Sequence, residues 1–256
     1  YNVVTFLPTD IDLVKGSPQG RRRYLDSMIC SLEPTHLRAL KLYQRALSQR
    51  NAILVRSSSL TLDKIEVWDE QLADIGSQVI SRRLEFMNTI KPLLSRMYKQ
   101  TSGLDQDIDI HYKSSIELDD DLEQSYKHKL AQEFEQDKKR FHTTVGPHRD
   151  QISFSIDGKD ASIYASQGEA KNLALALKVS EIEMISQFLG RIPILLLDDI
   201  TSELDSNRKK FLFRFLQDFT GQIFITTTSI KEILYKGHIR GFHIKDRIVR
   251  QKDIQT

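Results

Sequence analysis

Only one cysteine, Cys30, occurs among the 256 residues. No internal disulfide can form, which predicts a reducing, cytoplasmic setting. Glycine and proline number 11 and six, too few for a collagen-like or low-complexity chain. Long apolar runs are missing too. The longest uncharged one, Ile192 to Leu197, is about a third of the roughly 20 residues a membrane helix requires, and no basic-then-apolar leader opens the chain. A membrane partner is therefore not expected. No two histidines stand four apart and Cys30 is alone, so zinc-ligand spacing is absent. The G-x-S-x-G elbow of serine hydrolases is absent as well.

The formal charge is +2, but its distribution is uneven. Residues 15–57 carry nine basic and two acidic side chains, whereas residues 58–140 carry 12 basic and 17 acidic ones. The basic segment, with Lys15, Arg21, Arg22, Arg23, Arg38, Lys41, Arg45, Arg50 and Arg56, is a candidate surface for nucleic-acid phosphates, which cations attract without reading bases. Pairing with the acidic segment or a solvated face explains the same residues equally well.

Between Thr35 and Ser102 only Gly76 and Pro92 interrupt the chain, which predicts helices. Apolar stripes such as Ala39/Leu42/Ala46/Ile53 place two helices over Pro18 to Arg56, broken at Pro34. Leu72, Val79, Phe86 and Leu93 recur every seven residues, the seam of a helical hairpin or short coiled coil over Thr61 to Lys99, bent at Pro92. Ile108/Ile110/Tyr112 alternate with polar residues as a half-buried strand does. Asp119-Asp120-Asp121 then opens a helix ending near Lys138-Lys139-Arg140, each charge matching the helix dipole.

After Arg140 short strands take over: Gln151 to Ile156, an Asp157-Gly158 turn and Ala161 to Ala165. A helix from Ser166 to Leu189, a strand Ile192 to Leu197, a helix Asp205 to Phe219 and a strand Gln222 to Thr227 follow. Such alternation predicts a parallel sheet covered on both faces. A helix over Ser229 to Tyr235 and strands over Gly241 to Ile244 and Arg247 to Gln251 complete the reading.

Two constellations could carry chemistry. The apolar run Ile194-Leu195-Leu196-Leu197 ends in Asp198-Asp199. Ligands bind at strand ends of open α/β sheets, where paired acids can hold Mg²⁺ and polarise water or serve as a phosphoacceptor. Ser202-Glu203-Leu204-Asp205 follows, and a helix cap accounts for it. The second is Ser166-Gln167-Gly168-Glu169. This is a capping box, and a serine hydroxyl beside glycine at a helix start also suits phosphate.

In combination these motifs resemble the RecF family of bacterial recombination mediators, together with Val14-Lys15-Gly16-Ser17-Pro18, Tyr43-Gln44-Arg45-Ala46-Leu47, Gln49-Arg50-Asn51 and Gly146-Pro147-His148-Arg149-Asp150. The resemblance covers essentially the whole chain. It implies an α/β fold, the C-terminal lobe of a P-loop ABC/SMC-type ATPase head plus a mainly helical arm. Residues 1–14 would be the last strand and loop of a first lobe, 15–140 the arm, and 141–256 the second lobe. Ser166, Gln167, Gly168 and Glu169 would be the signature reaching the γ-phosphate across a dimer. Asp198 would be the Mg²⁺ acid, Asp199 the acid activating water, Asp205 the D-loop acid and Thr227, or Thr228, a γ-phosphate sensor. No glutamine stands in Leu7-Pro8-Thr9-Asp10, near the nucleotide-sensing loop.

The resemblance further implies ATP and Mg²⁺ as ligands, an ATP-dependent homodimer, and duplex DNA near single-stranded gaps as partner, with RecO, RecR and RecA acting in the same repair and SOS-response context. Arg21, Arg22, Arg23 and Arg149 are the candidate DNA contacts. No G-x-x-x-x-G-K-[ST] occurs, so this chain supplies no phosphate-wrapping loop of its own. It reads as an N-terminally truncated member that does not hydrolyse ATP unaided. A non-catalytic interaction module and an ABC transporter subunit are the rival readings.

Overall fold

The structure is a computed structural model that describes residues 2–56, 61–199, 204–245 and 248–255. Strand β1 (Val3–Phe6) leads through a 3-10 turn to the short α1 (Asp12–Lys15) and to α2 (Pro18–Leu32). Ser17 caps α2, its Oγ accepting from Gly20 N at 3.2 Å, and Pro18 takes the first turn, where its missing N–H is not needed. Helix α3 (Pro34–Arg56) starts afresh on Pro34. The long α4 (Glu66–Ser102) ends at Gly103, which adopts the left-handed conformation at φ 71°.

Instead of a hairpin, the heptad stripe is one helix of 37 residues that continues through Pro92. Leu72, Val79, Phe86 and Leu93 are all buried, but two different cores share that stripe. The upper half of α4 contributes Leu72 and Ile80 to the arm core, with Tyr43 and Leu47 of α3 and, beyond strand β2 (Ile108–Lys113), Tyr126 and Leu130 of α5 (Leu122–Arg140). The lower half contributes Phe86 to Tyr98 to the main core.

Arg50, expected on the basic surface, is instead fully buried in the arm as part of an ion pair. Arg50 Nη1 donates to Asp137 Oδ2 at 2.6 Å and to Thr143 Oγ1 at 2.9 Å, and its Nε donates to Asp69 Oδ1 at 2.5 Å.

Strands β3 (Gln151–Ile156) and β4 (Lys159–Asp160) form an antiparallel sheet with β2 in the order β2-β3-β4. This pairing joins the two sides of the expected 140/141 boundary. Ala161–Tyr164, expected as a strand, is instead a helical turn, α6, because the Asp160 carboxylate caps it through Ser162 N at 2.8 Å. Helix α7 (Gln167–Leu189) follows and is buried nearly all round, from Ala170 to Ile185, as expected of a central helix.

Strand β5 (Ile194–Asp198), α8 (Ser206–Gln217) and β6 (Ile223–Thr226) complete a parallel sheet of order β1-β5-β6. Val4, Phe6, Leu195 and Leu197 point into the core with α7. The opposite face shows Val3, Leu196 and Phe224 at 46%, 36% and 51% exposure. Among the described residues, then, the sheet is covered on one face, not two. The segment expected as a final helix is a single 3-10 turn, Ile230–Glu232. It precedes the antiparallel pair β7 (His238–Lys245) and β8 (Ile248–Gln255).

Candidate nucleotide site

Parallel pairing places Asp198 at the carboxyl end of the central strand β5, directly opposite Thr226 of β6. The Thr226 hydroxyl donates to Asp198 Oδ1 at 2.6 Å, and Asp199 N donates to Thr226 O at 3.2 Å and to Oγ1 at 3.1 Å. One threonine thus fixes both acidic residues. Asp199 has φ 46°, a left-handed conformation that non-glycine residues rarely adopt, so the backbone turns sharply as it leaves the strand. Asp198 is exposed and Asp199 half-buried. Thr227 lies one residue on, its hydroxyl engaged with the Ser229 carbonyl at 3.0 Å and Ser229 N at 3.1 Å. Ser202 and Glu203 lie outside the described residues.

The second cluster sits at the start of α7. Ser166 is the N-cap: its Oγ accepts from Glu169 N at 3.1 Å, and Ser166 N donates to Glu169 Oε2 at 2.8 Å. The bonds from Ser166, and a further one from Gln106 Nε2 at 3.3 Å, hold the Glu169 carboxyl below the usual range. Burial, with Glu169 and Asp157 nearby, pushes the Tyr98 hydroxyl up to about 12, and that hydroxyl donates to Gln106 Oε1 at 3.1 Å. Lys15 Nζ donates to Ala165 O at 2.5 Å, anchoring the residue before the cap.

Arg208 joins this cluster to the next helix. It donates to Gly168 O at 2.9 Å, to Asn172 Oδ1 at 2.6 Å and to Asp205 Oδ2 at 2.7 Å. A Cβ on Gly168 would meet Arg208 Nη2 at 3.0 Å, so a side chain there would crowd the clamp. Asp205 is also the N-cap of α8, accepting from Arg208 N at 3.0 Å. Gln167 is exposed. Ser166, Gly168, Glu169 and Asp205 therefore form one constellation, and Asp198, Asp199 and Thr226 another.

Sequence reasoning missed Arg208, Gln106 and Thr226, and read Lys15 as surface charge where it is a tie to Ala165 O. Only Thr226, inside Thr226-Thr227-Thr228 beside the acid-tipped strand, carried a signal.

The arginines expected at a DNA surface separate into three kinds. Arg21 is corrected to an internal strut: it is 8% exposed, and its guanidinium donates to the carbonyls of Ile152 at 2.6 Å, Gly16 at 2.8 Å and Val14 at 3.2 Å. Arg22 is half-buried and donates to Asp150 O at 2.7 Å. Arg23 and Arg149 are exposed, Arg149 touching Thr143 O at 3.2 Å.

Among the described residues no three or more His, Cys, Asp or Glu side chains group as metal ligands. The exposed Asp198 carboxylate, with Oδ1 already oriented by Thr226, fits Mg²⁺ held by one carboxylate and nucleotide phosphates, the arrangement this ion favours over an all-protein cage.

A one-faced parallel sheet with an acid-tipped central strand and a serine-capped central helix is the second lobe of an SMC/ABC-type ATPase head. The SMC head domain of Pyrococcus furiosus shares the fold, with a TM-score of 0.50 at 17% identity over 100% of this chain. The particular family follows from nearer relatives. The DNA replication and repair protein RecF of Streptococcus suis is 39% identical over 258 residues, covering 98% of this chain and 70% of the relative. That of Geotalea uraniireducens is 39% identical over 240 residues, covering 92% of this chain and 65% of the relative. A solved structure of the recombination mediator protein RecF-ATPrS in the RecFOR pathway superposes with a TM-score of 0.89 at 34% identity, over 98% of this chain and 68% of that one. A second, RecF-ATP, gives 0.87 at 32%. No family model matches the chain. The chain belongs to the RecF family, and it spans 65% of the length of the Geotalea uraniireducens relative.

Proposed function

We propose that the chain is the arm and second ATPase lobe of an ATP-dependent DNA-binding protein of recombinational repair. In this reading residues 1–14 and 141–256 belong to the head and 15–140 to the arm. Two heads close on ATP, clamp duplex DNA near a single-stranded gap, and act with RecO and RecR in loading RecA. The observation that carries the reading is the acid pair at the end of β5, fixed by Thr226, on the same lobe as a glycine-containing, serine-capped helix start.

Each residue has a role that its position supports. Asp198 would hold Mg²⁺, which when bound neutralises charge on the β- and γ-phosphates. Asp199, held in its turn by Thr226, orients and deprotonates the attacking water. Ser166 Oγ and the free N–H groups of the first turn of α7 point at the γ-phosphate of the other subunit's nucleotide. Arg208 keeps Asp205 and Gly168 in register, and Thr227 reports the γ-phosphate from β6.

The 256 residues contain no P-loop motif, so turnover requires a P-loop supplied from outside them. That same fact favours a second reading, a non-catalytic module that binds DNA or protein. In the full-length gene product, Asp199→Asn should keep ATP-driven association and slow hydrolysis at least about a hundredfold, the scale of losing a general base. Unchanged hydrolysis would leave the module reading.

A further inference from the structure

Between α2 and α3, at the root of the arm, lies a groove of about 590 Å³ that none of Ser166, Gly168, Asp198 or Asp199 lines. Its floor is neutralised. Arg83 grips Asp26 through both guanidinium branches, Nε to Oδ1 at 2.9 Å and Nη2 to Oδ2 at 2.8 Å, and His36 Nε2 meets the same Oδ1 at 3.1 Å. Asp26 is the one acidic residue in the lining, and it is fully engaged.

Three cations in the lining, Arg22, Arg23 and Lys41, form no ion pair with any described carboxylate. Arg22 cannot swing away, because Nη1 is tied to Asp150 O at 2.7 Å. Asp150 and Asp26 lie near enough to offset part of its charge, but the Asp150 carboxylate is bonded by Tyr112, Ser115 N and Ser115 Oγ and forms no ion pair with Arg22. Burial first, and then the neighbouring Arg83, pull the Arg22 guanidinium below its usual range against the opposing pull of Asp150 and Asp26, as expected of a partly desolvated cation whose charge is not fully balanced. The α3 side of the groove carries Leu37 and Leu40 beside Lys41, and α2 carries Arg22 and Arg23. Positive charge beside apolar side chains in a concave site of this size suits a nucleotide unit, charged at its phosphate and apolar at its base.

We infer that the α2–α3 groove is a phosphate-ester site, separate from the β5 acids, in which Arg22, Arg23 and Lys41 receive the phosphate and Leu37 and Leu40 receive the base of one nucleotide unit. The unit can come from a free nucleotide or from a nucleic-acid strand. In the second case the inference deepens the DNA-binding part of the reading above, placing the contact at the arm root.

The test is fluorescence anisotropy of a labelled single-stranded oligonucleotide titrated with the chain, with AMP and inorganic phosphate as competitors. Arg23→Glu/Lys41→Glu changes two exposed positions and should weaken binding at least tenfold and flatten the salt dependence by about two counterions. Lys139→Glu/Arg140→Glu, an equal charge change at the far end of α5, should leave it within about twofold. Displacement by AMP would identify a free nucleotide as sufficient, and displacement only by unlabelled oligonucleotide a strand. Equal losses in both double variants, unchanged binding in Arg23→Glu/Lys41→Glu, or no binding of oligonucleotide or AMP by the wild type would each overturn the site. ATP-driven association of the full-length product is read separately, so failure of the groove and failure of the ATPase reading are distinct results.

Discussion

The guanidinium of Arg208 on α8 meets the carbonyl oxygen of Gly168, in the first turn of α7, at 2.9 Å. With its bonds to Asp205 and Asn172, Arg208 makes the positions of Asp205 and of Gly168, 40 residues away from it in sequence, depend on one side chain. Arg208→Ala should cost about 1–3 kcal/mol in urea denaturation and speed amide exchange across residues 167–172. Arg208→Lys should rescue little, since an ammonium cannot span three acceptors as the planar fork does. Wild-type exchange rates in both variants would contradict the clamp.

The arm depends on the Arg50–Asp137 pair, whose side chains are both 0% exposed. Arg50→Ala would strand a buried carboxylate, and the expected loss is about 3–5 kcal/mol. Asp137→Asn should cost less, because it removes the charge while keeping hydrogen-bonding atoms for Thr144. Equal stability of Arg50→Ala and wild type in chemical denaturation would contradict this account.

Gly146 has φ 118°, and a Cβ there would lie 1.8 Å from Tyr126 Oη. The buried Tyr43 and Tyr126 hydroxyls, 2.8 Å apart, leave no room for a shift. Gly146→Ala should lower stability by at least about 3 kcal/mol, through backbone strain and overpacking together. A thermal midpoint within a degree or two of wild type would disprove it.

His148 sets a pH dependence. Its Nε2 faces Thr143 O at 3.1 Å, so that nitrogen carries the proton, and Nδ1 accepts from the Tyr43 hydroxyl at 2.7 Å. Burial, aided by Arg149, Arg22 and His142, lowers the imidazole pKa from 6.5 to about 4. The unfolded chain therefore binds the extra proton between those values, and stability should fall as pH drops through that window. For a half-buried ring the effect is on the order of 2 kcal/mol. His148→Gln should flatten the stability curve between pH 6.5 and 4; an unaltered slope would contradict the assignment.

Local pattern reached the sequence reader well, and long-range contact did not. The heptad Leu72/Val79/Phe86/Leu93 announces a buried stripe, but the length of α4 depends on two cores meeting one helix, which periodicity cannot express. Ser162-Ile163-Tyr164 has strand-like composition, yet the Asp160 cap decides for a turn of helix. Arg21 reads as surface charge because its burial depends on Ile152, a carbonyl acceptor 131 residues away. The Ser166 cap and the Asp198–Asp199 tip were legible, since each is a local signal. Arg208 and Lys15 were not, since their partners lie 40 and 150 residues away.

In the proposed function Ser166 completes a nucleotide site across a dimer. The most direct measurement is the light-scattering mass of the full-length gene product with and without ATP, for wild type and Ser166→Arg. ATP should double the mass of the wild type and leave Ser166→Arg monomeric, still folded but less stable by about 1 kcal/mol for the lost cap. A wild type that does not respond, or a variant that doubles equally, would contradict it and reduce Ser166 to the helix cap it forms with Glu169.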